Sequence, residues 1–203
     1  MDDELIPTRQ SLLSRLKDWE DWASWQDFFH TYWRLIYRTA RAAGLNSNEA
    51  EEIVQETLIS ISKAIRGFEY DANKGSFKGW LRTNTVWRIR DHLRAKQRDR
   101  LVPTDAFTLE ANGPPGEDLI AHNWDSDWEE NLAEAALERV KRKVAPNQFQ
   151  IFDLVTVKAW PPSKIASTFR VSTGYVYLVK HRVTALLRAE LKKLESAYCR
   201  PRV

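Results

Sequence analysis

Apolar residues recur at helical spacing along most of the chain. Leu12, Leu13, Leu16 and Trp19 begin a first stripe, with Thr8 placed to cap it. Trp25, Phe28, Phe29, Tyr32, Trp33, Leu35, Ile36 and Ala40 form a broad apolar face. That face predicts a second helix over residues 24–43, closed by Gly44 as its C′ residue. Asn46 or Ser47 caps a third helix, whose first turns carry Glu49, Glu51 and Glu52 where the helix dipole favours acids. It continues through Ile53, Val54, Leu58, Ile61 and Ile65 to Gly67. Residues 68–75 read as a turn and residues 76–97 as a fourth helix.

Residues 102–127 show no consistent period and contain the breaker cluster Asn112-Gly113-Pro114-Pro115-Gly116. Helical spacing returns at Trp128, with Leu132, Ala136, Leu137 and Val140 in one stripe. Phe149, Ile151, Phe152, Leu154, Val155 and Val157 form the next, before Pro161-Pro162. Residues 163–169 predict a short helix, Arg170-Val171-Ser172 a turn, and residues 173–198 a long basic helix. The pattern describes an all-α protein of two helical domains, 1–100 and 128–203, joined by an acidic flexible linker over 101–127. Cleavage within residues 112–116 is expected to release two separately folded pieces.

Composition supports this reading. Nine Trp with only seven Gly and eight Pro in 203 residues favours helices. A single Cys, Cys199, excludes an internal disulfide and fits a reducing compartment. No apolar run approaches a membrane span and the acidic start lacks a signal-peptide pattern, so a cytoplasmic protein is expected. The net charge of +3 is strongly segregated. Residues 77–101 carry eight Lys or Arg against two acids, whereas residues 102–134 carry nine acids and no base.

Three constellations bear on chemistry. Near the C-terminus, Ala166 offers the small contact of a helix-turn-helix, with Ile165, Phe169, Val171, Val176 and Val179 as its apolar scaffold. Ser172 caps the second helix, and Arg170 stands at the turn position that favours positive φ. The outward face then offers Thr173, Tyr175, Tyr177, Lys180 and His181, with Arg182 and Arg188 beyond, to a major groove and its phosphates. In the fourth helix, Phe77, Trp80 and Trp87 are interleaved with Arg82, Arg88, Arg90 and Arg94, as stacking on single-stranded bases requires. Phe77 and Trp80 read as core. Trp87, seven residues on, reads either as an added core residue or as an indole at the rim of a base site, with core preferred. Glu49, Glu52 and Glu56 share a helix face. Without His, Cys or Asp at ligand spacing they read as a partner-facing patch rather than a metal or nuclease centre. No cofactor and no metal is expected, nor an active site of the chain's own.

Ala50-Glu51-Glu52-Ile53-Val54-Gln55-Glu56, then Phe77-Lys78-Gly79-Trp80-Leu81 with Asp91, Leu93 and Arg94, and the terminal helix-turn-helix together resemble a known family. The chain is similar to bacterial RNA polymerase sigma factors of the small, two-domain extracytoplasmic-function group within the sigma-70 superfamily. The likeness covers residues 11–98 and 133–194. It implies a dissociable, non-enzymatic subunit for promoter recognition, melting and initiation. The implied partners are core polymerase, through the largest-subunit clamp and the flap, and promoter DNA. It leaves room for an anti-sigma factor, implies no membrane contact, and implies a nucleoid-associated protein when polymerase-bound.

Residue by residue, the resemblance implies polymerase contact at Glu52, Gln55 and Glu56, with Glu52 standing where the family usually has Asp. It implies −10 contacts around Lys74, Lys78, Trp80, Asn84, Trp87, Arg88, Arg90 and Arg94. It implies −35 contacts around Ser172, Thr173, Tyr175, Tyr177, Lys180, His181 and Arg182. Trp87 replaces a common Asn, Asn84 an Ile and Val86 an Arg, while Tyr177-Leu178-Val179-Lys180 replaces a Lys-Ser-Arg-Leu run, so base contacts do not transfer at these positions. The alternative is a helix-turn-helix regulator that binds DNA without polymerase.

Overall fold

The computed structural model describes residues 10–67, 76–100 and 117–198. The Thr8 cap, the 68–75 turn with Lys74, the 112–116 breaker cluster and Cys199 lie outside them. Among the described residues, regular structure is helical throughout: α1 (Gln10–Arg15), α2 (Trp22–Ala42), α3 (Ser47–Ala64), α4 (Phe77–Arg100), α5 (Glu117–Lys143), α6 (Pro146–Thr156), α7 (Pro162–Phe169) and α8 (Thr173–Tyr198). A short 3-10 turn, Ile65–Gly67, follows α3. No described helix is long and apolar enough to cross a membrane.

The chain divides into two compact units, one holding the described residues up to Asn131 and one spanning Leu132–Ser196. In the first, helix ends are set by local chemistry. Asp21 caps α2, its carboxylate accepting from the Ser24 amide at 3.0 Å and the Ser24 hydroxyl at 2.7 Å. Arg15 adds an ion pair to it at 2.8 Å, and these partners hold the Asp21 carboxyl down at about 2. Gly44, at φ 88°, ends α2 as expected. Its amide donates to Arg41 O and that of Leu45 to Ala40 O, the paired bonds of a Schellman turn, while Leu45 itself is buried. Asn46 begins α3 with a full capping box, its side chain accepting from the Glu49 amide and the Glu49 carboxylate accepting from the Asn46 amide.

The core of this unit is aromatic. Phe77, fully buried, lies 6.1 Å from Phe28, 5.7 Å from Tyr32 and 6.4 Å from Trp128, ring centre to ring centre. Tyr32 and Trp128 stack at 5.4 Å, and Trp124 adjoins Trp128 at 6.5 Å. Three buried helical threonines are satisfied within their helices, Thr31, Thr39 and Thr85 donating to the carbonyls of Asp27, Leu35 and Leu81, four residues back, whereas the buried Thr57 hydroxyl is not.

Three sequence expectations are corrected here. Trp19 is half-exposed, since α1 ends at Arg15 and its stripe does not reach that far. Phe29 is exposed because the buried side of α2 is centred on Phe28, Tyr32, Leu35 and Ile36. Residues 117–127, expected in the linker, are helical, and the buried Trp124 and Trp128 belong to the first unit. Asn131 closes this join by donating to the Thr31 carbonyl at 2.7 Å. A cut within residues 112–116 therefore separates the first unit from part of its own core, rather than releasing two complete pieces.

The second unit packs Val140, Ile151, Phe152, Ile165, Ala166, Val176, Val179 and Val183 into one cluster. Pro146 and Pro162 start α6 and α7 at the first helical position, where no amide hydrogen is needed. Glu190 is buried beside Lys143 at 2.7 Å and Lys193 at 3.3 Å. Burial works against its charge, but the two ammonium groups outweigh that and hold the carboxyl below its usual range.

Because Phe77 bridges α2, α4 and α5, its truncation is felt in all three. Phe77→Ala is expected to destabilise the first unit by about 3–5 kcal/mol, the range for a buried aromatic cut to a methyl. Urea unfolding followed by circular dichroism measures it.

Candidate nucleic-acid and partner surfaces

On α3, Ala50, Ile53, Val54, Thr57 and Ile61 are buried. The helix period leaves Glu52, Gln55 and Ile59 exposed, with Glu56 half-buried among them. These four sit at i, i+3, i+4 and i+7, one continuous strip. The first three expected polymerase-facing residues thus share an accessible surface. Ile59 extends it to an apolar groove of about 640 Å³, walled by Trp19, Trp22, Trp25, Phe29 and Leu58.

Glu49 does not join that strip. Its carboxylate accepts from the Asn46 amide at 2.8 Å and pairs with Lys96 near the end of α4, with His92 Nε2 at 3.7 Å. The Lys96 contact first, and then the Asn46 amide, hold the Glu49 carboxyl at about 2. The acid is occupied in fastening α3 to α4, so the Glu49, Glu52 and Glu56 face is not a free carboxylate triad. Among the described residues no group of three or more His, Cys, Asp or Glu is gathered as a metal would require.

On α4 the buried positions are Phe77, Leu81, Thr85 and Ile89, spaced by four. This seam corrects the expectation for Trp87. Trp87 lies two residues from both Thr85 and Ile89, about 200° around the helix, and is 60% exposed. Trp80 also departs from expectation. It is half-buried beside Phe77, ring centres 5.7 Å apart, at the margin of the core. The seven-residue relation between Trp80 and Trp87 placed them on one side, but the seam belongs to Phe77 and Leu81, which lie about 60° and 100° to the same side of Trp80 around the helix.

Thr83, Trp87, Asp91, Arg94 and Arg98 form one exposed strip on α4. Other expected DNA-facing residues have partners within the protein. Lys78 pairs with Asp125 at 2.7 Å and lies 5.8 Å from the centre of the Trp128 ring. Asn84 donates to the Trp80 carbonyl at 2.9 Å, and Arg88 lies 3.8 Å from Asp91. Arg90 is half-buried. Lys74 falls outside the described residues.

The terminal module has the expected turn. Arg170 is left-handed at φ 55°, ψ 43°, its amide reaching Ser167 O while that of Val171 bonds Ala166 O at 3.0 Å. Ser172 Oγ accepts from the Tyr175 amide at 3.1 Å, capping α8. Val176, Val179 and Val183 face the core. Thr173, Tyr177, Lys180, His181 and Arg182 are exposed. Tyr175 is a correction. It is half-buried against the core cluster, one position before Val176, and its hydroxyl accepts from Gln148 Nε2 at 3.2 Å. Two outward positions were absent from the sequence-based set, Gly174 and Leu178. Their spacing opposite the three valines was the signal available for both.

The fold and these surfaces define a helical protein with an acidic strip, an indole–guanidinium strip and a helix-turn-helix. Residues 28–99 match the Sigma-70 region 2 family. Over 192 residues the chain is 24% identical to the ECF RNA polymerase sigma factor SigE of Mycolicibacterium smegmatis, covering 94% of this chain and 70% of the relative. Residues 28–99 are thus similar to sigma-70 region 2, and most of the chain is similar to an extracytoplasmic-function sigma factor.

Two outcomes follow from the geometry. Trp87→Ala is expected to leave the unfolding midpoint within about 0.5 kcal/mol of wild type, as surface substitutions do; a core Trp would lower it several-fold more. Glu49 has a depressed folded-state pKa, so its stabilising contribution is complete above about 4.5 and is lost as pH falls from there towards about 2. Acid unfolding of Glu49→Gln should therefore show a shallower loss of stability across that window than wild type.

Proposed function

We propose that the chain is a sigma subunit that binds core RNA polymerase and directs transcription initiation. The observation that carries this reading is the division of labour in the first unit. Buried faces of α3 and α4 belong to one core, so the carboxylate–amide strip and the indole–guanidinium strip are displayed separately. One can hold a protein partner while the other meets DNA.

Glu52, Gln55 and Glu56 bind the clamp of the largest subunit, and the second unit meets the flap. Trp87 offers a stacking face for an unpaired base of the −10 region, with Arg94 on neighbouring phosphates and Trp80 at the rim. Lys78, Asn84, Arg88 and Arg90 first exchange or keep internal partners, and Lys74 joins from the preceding turn. In the −35 region α8 enters the major groove, with Thr173, Tyr177, His181, Lys180 and Arg182 towards bases and phosphates. Ser172 and Tyr175 contribute by fixing the helix end and its packing. The subunit has no chemistry of its own, works in the cytoplasm at the nucleoid, and is open to control by an anti-sigma factor.

The test exchanges charge on the α3 strip. Gln55→Arg with Glu56→Lys should abolish binding to core polymerase while helix content stays native, because like charges then oppose basic groups on the partner. Unchanged affinity for core would overturn the polymerase assignment. Tight duplex binding by the free chain, with no initiation when core is added, would favour a regulator that acts without polymerase.

A further inference from the structure

The outward face of α8 is less polar than a solvated helix requires. Advancing about 100° per residue, Gly174, Leu178, His181 and Ala185 form a strip centred opposite Val176, Val179 and Val183. Leu178 is 61% exposed, and Tyr177 beside it is 57% exposed. Arg182, one turn after Leu178, stands about 40° from it around the helix, whereas Lys180 lies about 160° away, beyond Tyr177. One turn before Leu178, Gly174 has no side chain, and a Cβ built there would meet nothing closer than Ser172 Oγ at 3.9 Å. The glycine is therefore not demanded by packing within the protein. It leaves open space beside Leu178, at the end of the helix that a groove would admit first.

An exposed leucine with a guanidinium one turn on suits one feature of a major groove. Among the four bases only thymine presents an apolar group there, its 5-methyl, and apolar side chains read it by contact. Arg182 is placed to reach a phosphate beside the strip while the strip itself meets base edges. We propose that Leu178 is a specificity-determining residue of this protein, making apolar contact with the 5-methyl group of a thymine in the upstream promoter element. The inference rests on the reading of α8 as the −35 helix, and Gly174 supplies the clearance that lets the leucine reach the groove floor.

The test removes the methyl and nothing else. Duplexes are selected from a randomised library by the full chain bound to core polymerase. Each thymine of the upstream element is then replaced in turn by deoxyuridine. For the wild type, one such replacement should weaken binding about three- to fivefold, the scale of one buried methyl. Leu178→Ala should bind the thymine and deoxyuridine duplexes equally, at the affinity of wild type on deoxyuridine. Gly174→Ala, which the fold accommodates, should weaken binding to both.

Salt titrations of Lys180→Ala and Arg182→Ala separate the two possible failures. If each lowers the salt slope by about one unit but no deoxyuridine replacement matters, α8 is on DNA and the leucine inference is wrong. If neither changes affinity or slope, the helix is not on DNA and both readings fall. Discrimination that survives in Leu178→Ala, or loss of core binding in that variant without loss of discrimination, would also overturn the inference.

Discussion

The burial of Phe77 is the constraint on which the first unit depends. It is the first residue of α4, and it enters a cluster of rings contributed by α2 and α5. An aromatic side chain fixed at the first helical position sets the rotation of everything that follows. Leu81, Thr85 and Ile89 continue the buried seam, and the opposite side is committed to solvent. The exposure of Trp87 and Arg94 is thus a consequence of packing ten or more residues away along the helix.

A second fastening works at the far end of the same helix. The Glu49 carboxylate serves both the first turn of α3 and Lys96 near the end of α4. One end of α4 is held by aromatic burial and the other by charge. The surfaces displayed on α3 and α4 therefore inherit a defined register. This is the condition for the proposed base-stacking indole and its neighbouring guanidinium to act together rather than as independent flexible groups.

Much of the fold was legible because helical period and capping chemistry agree. Gly44, Asn46, Ser172 and the left-handed Arg170 all act where local sequence placed them. The failures were of two kinds. The start of α5 was missed although Ile120, Trp124, Trp128 and Leu132 recur every four residues, because the neighbouring breaker cluster and the run of acids read as linker. What recruits that segment is tertiary, a pocket of rings from α2 and α4 that no local window contains. Trp87 was misplaced because two tryptophans seven apart suggested a seam, whereas the seam was defined by the residues on either side of Trp80. In the candidate site, the Glu52–Gln55–Glu56 strip came from the family resemblance, whereas spacing alone offered Glu49 with Glu52 and Glu56. The internal partners of Lys78 and Tyr175 came from neither, since Asp125 and Gln148 are distant in sequence.

The bond between Asn131 and Thr31 spans 100 residues of chain. With Trp124 and Trp128, it makes the first unit depend on a segment translated well after α4. A nascent chain that has emerged only as far as α4 already displays Tyr32 and Phe77 without the rings that cover them. Its apolar surface stays open until α5 leaves the ribosome. Synthesis speed between α4 and α5 thus sets how long that surface is presented to chaperones or to neighbouring chains. A pause in this interval would trade soluble yield for time in an incomplete state, without altering a single contact of the finished protein.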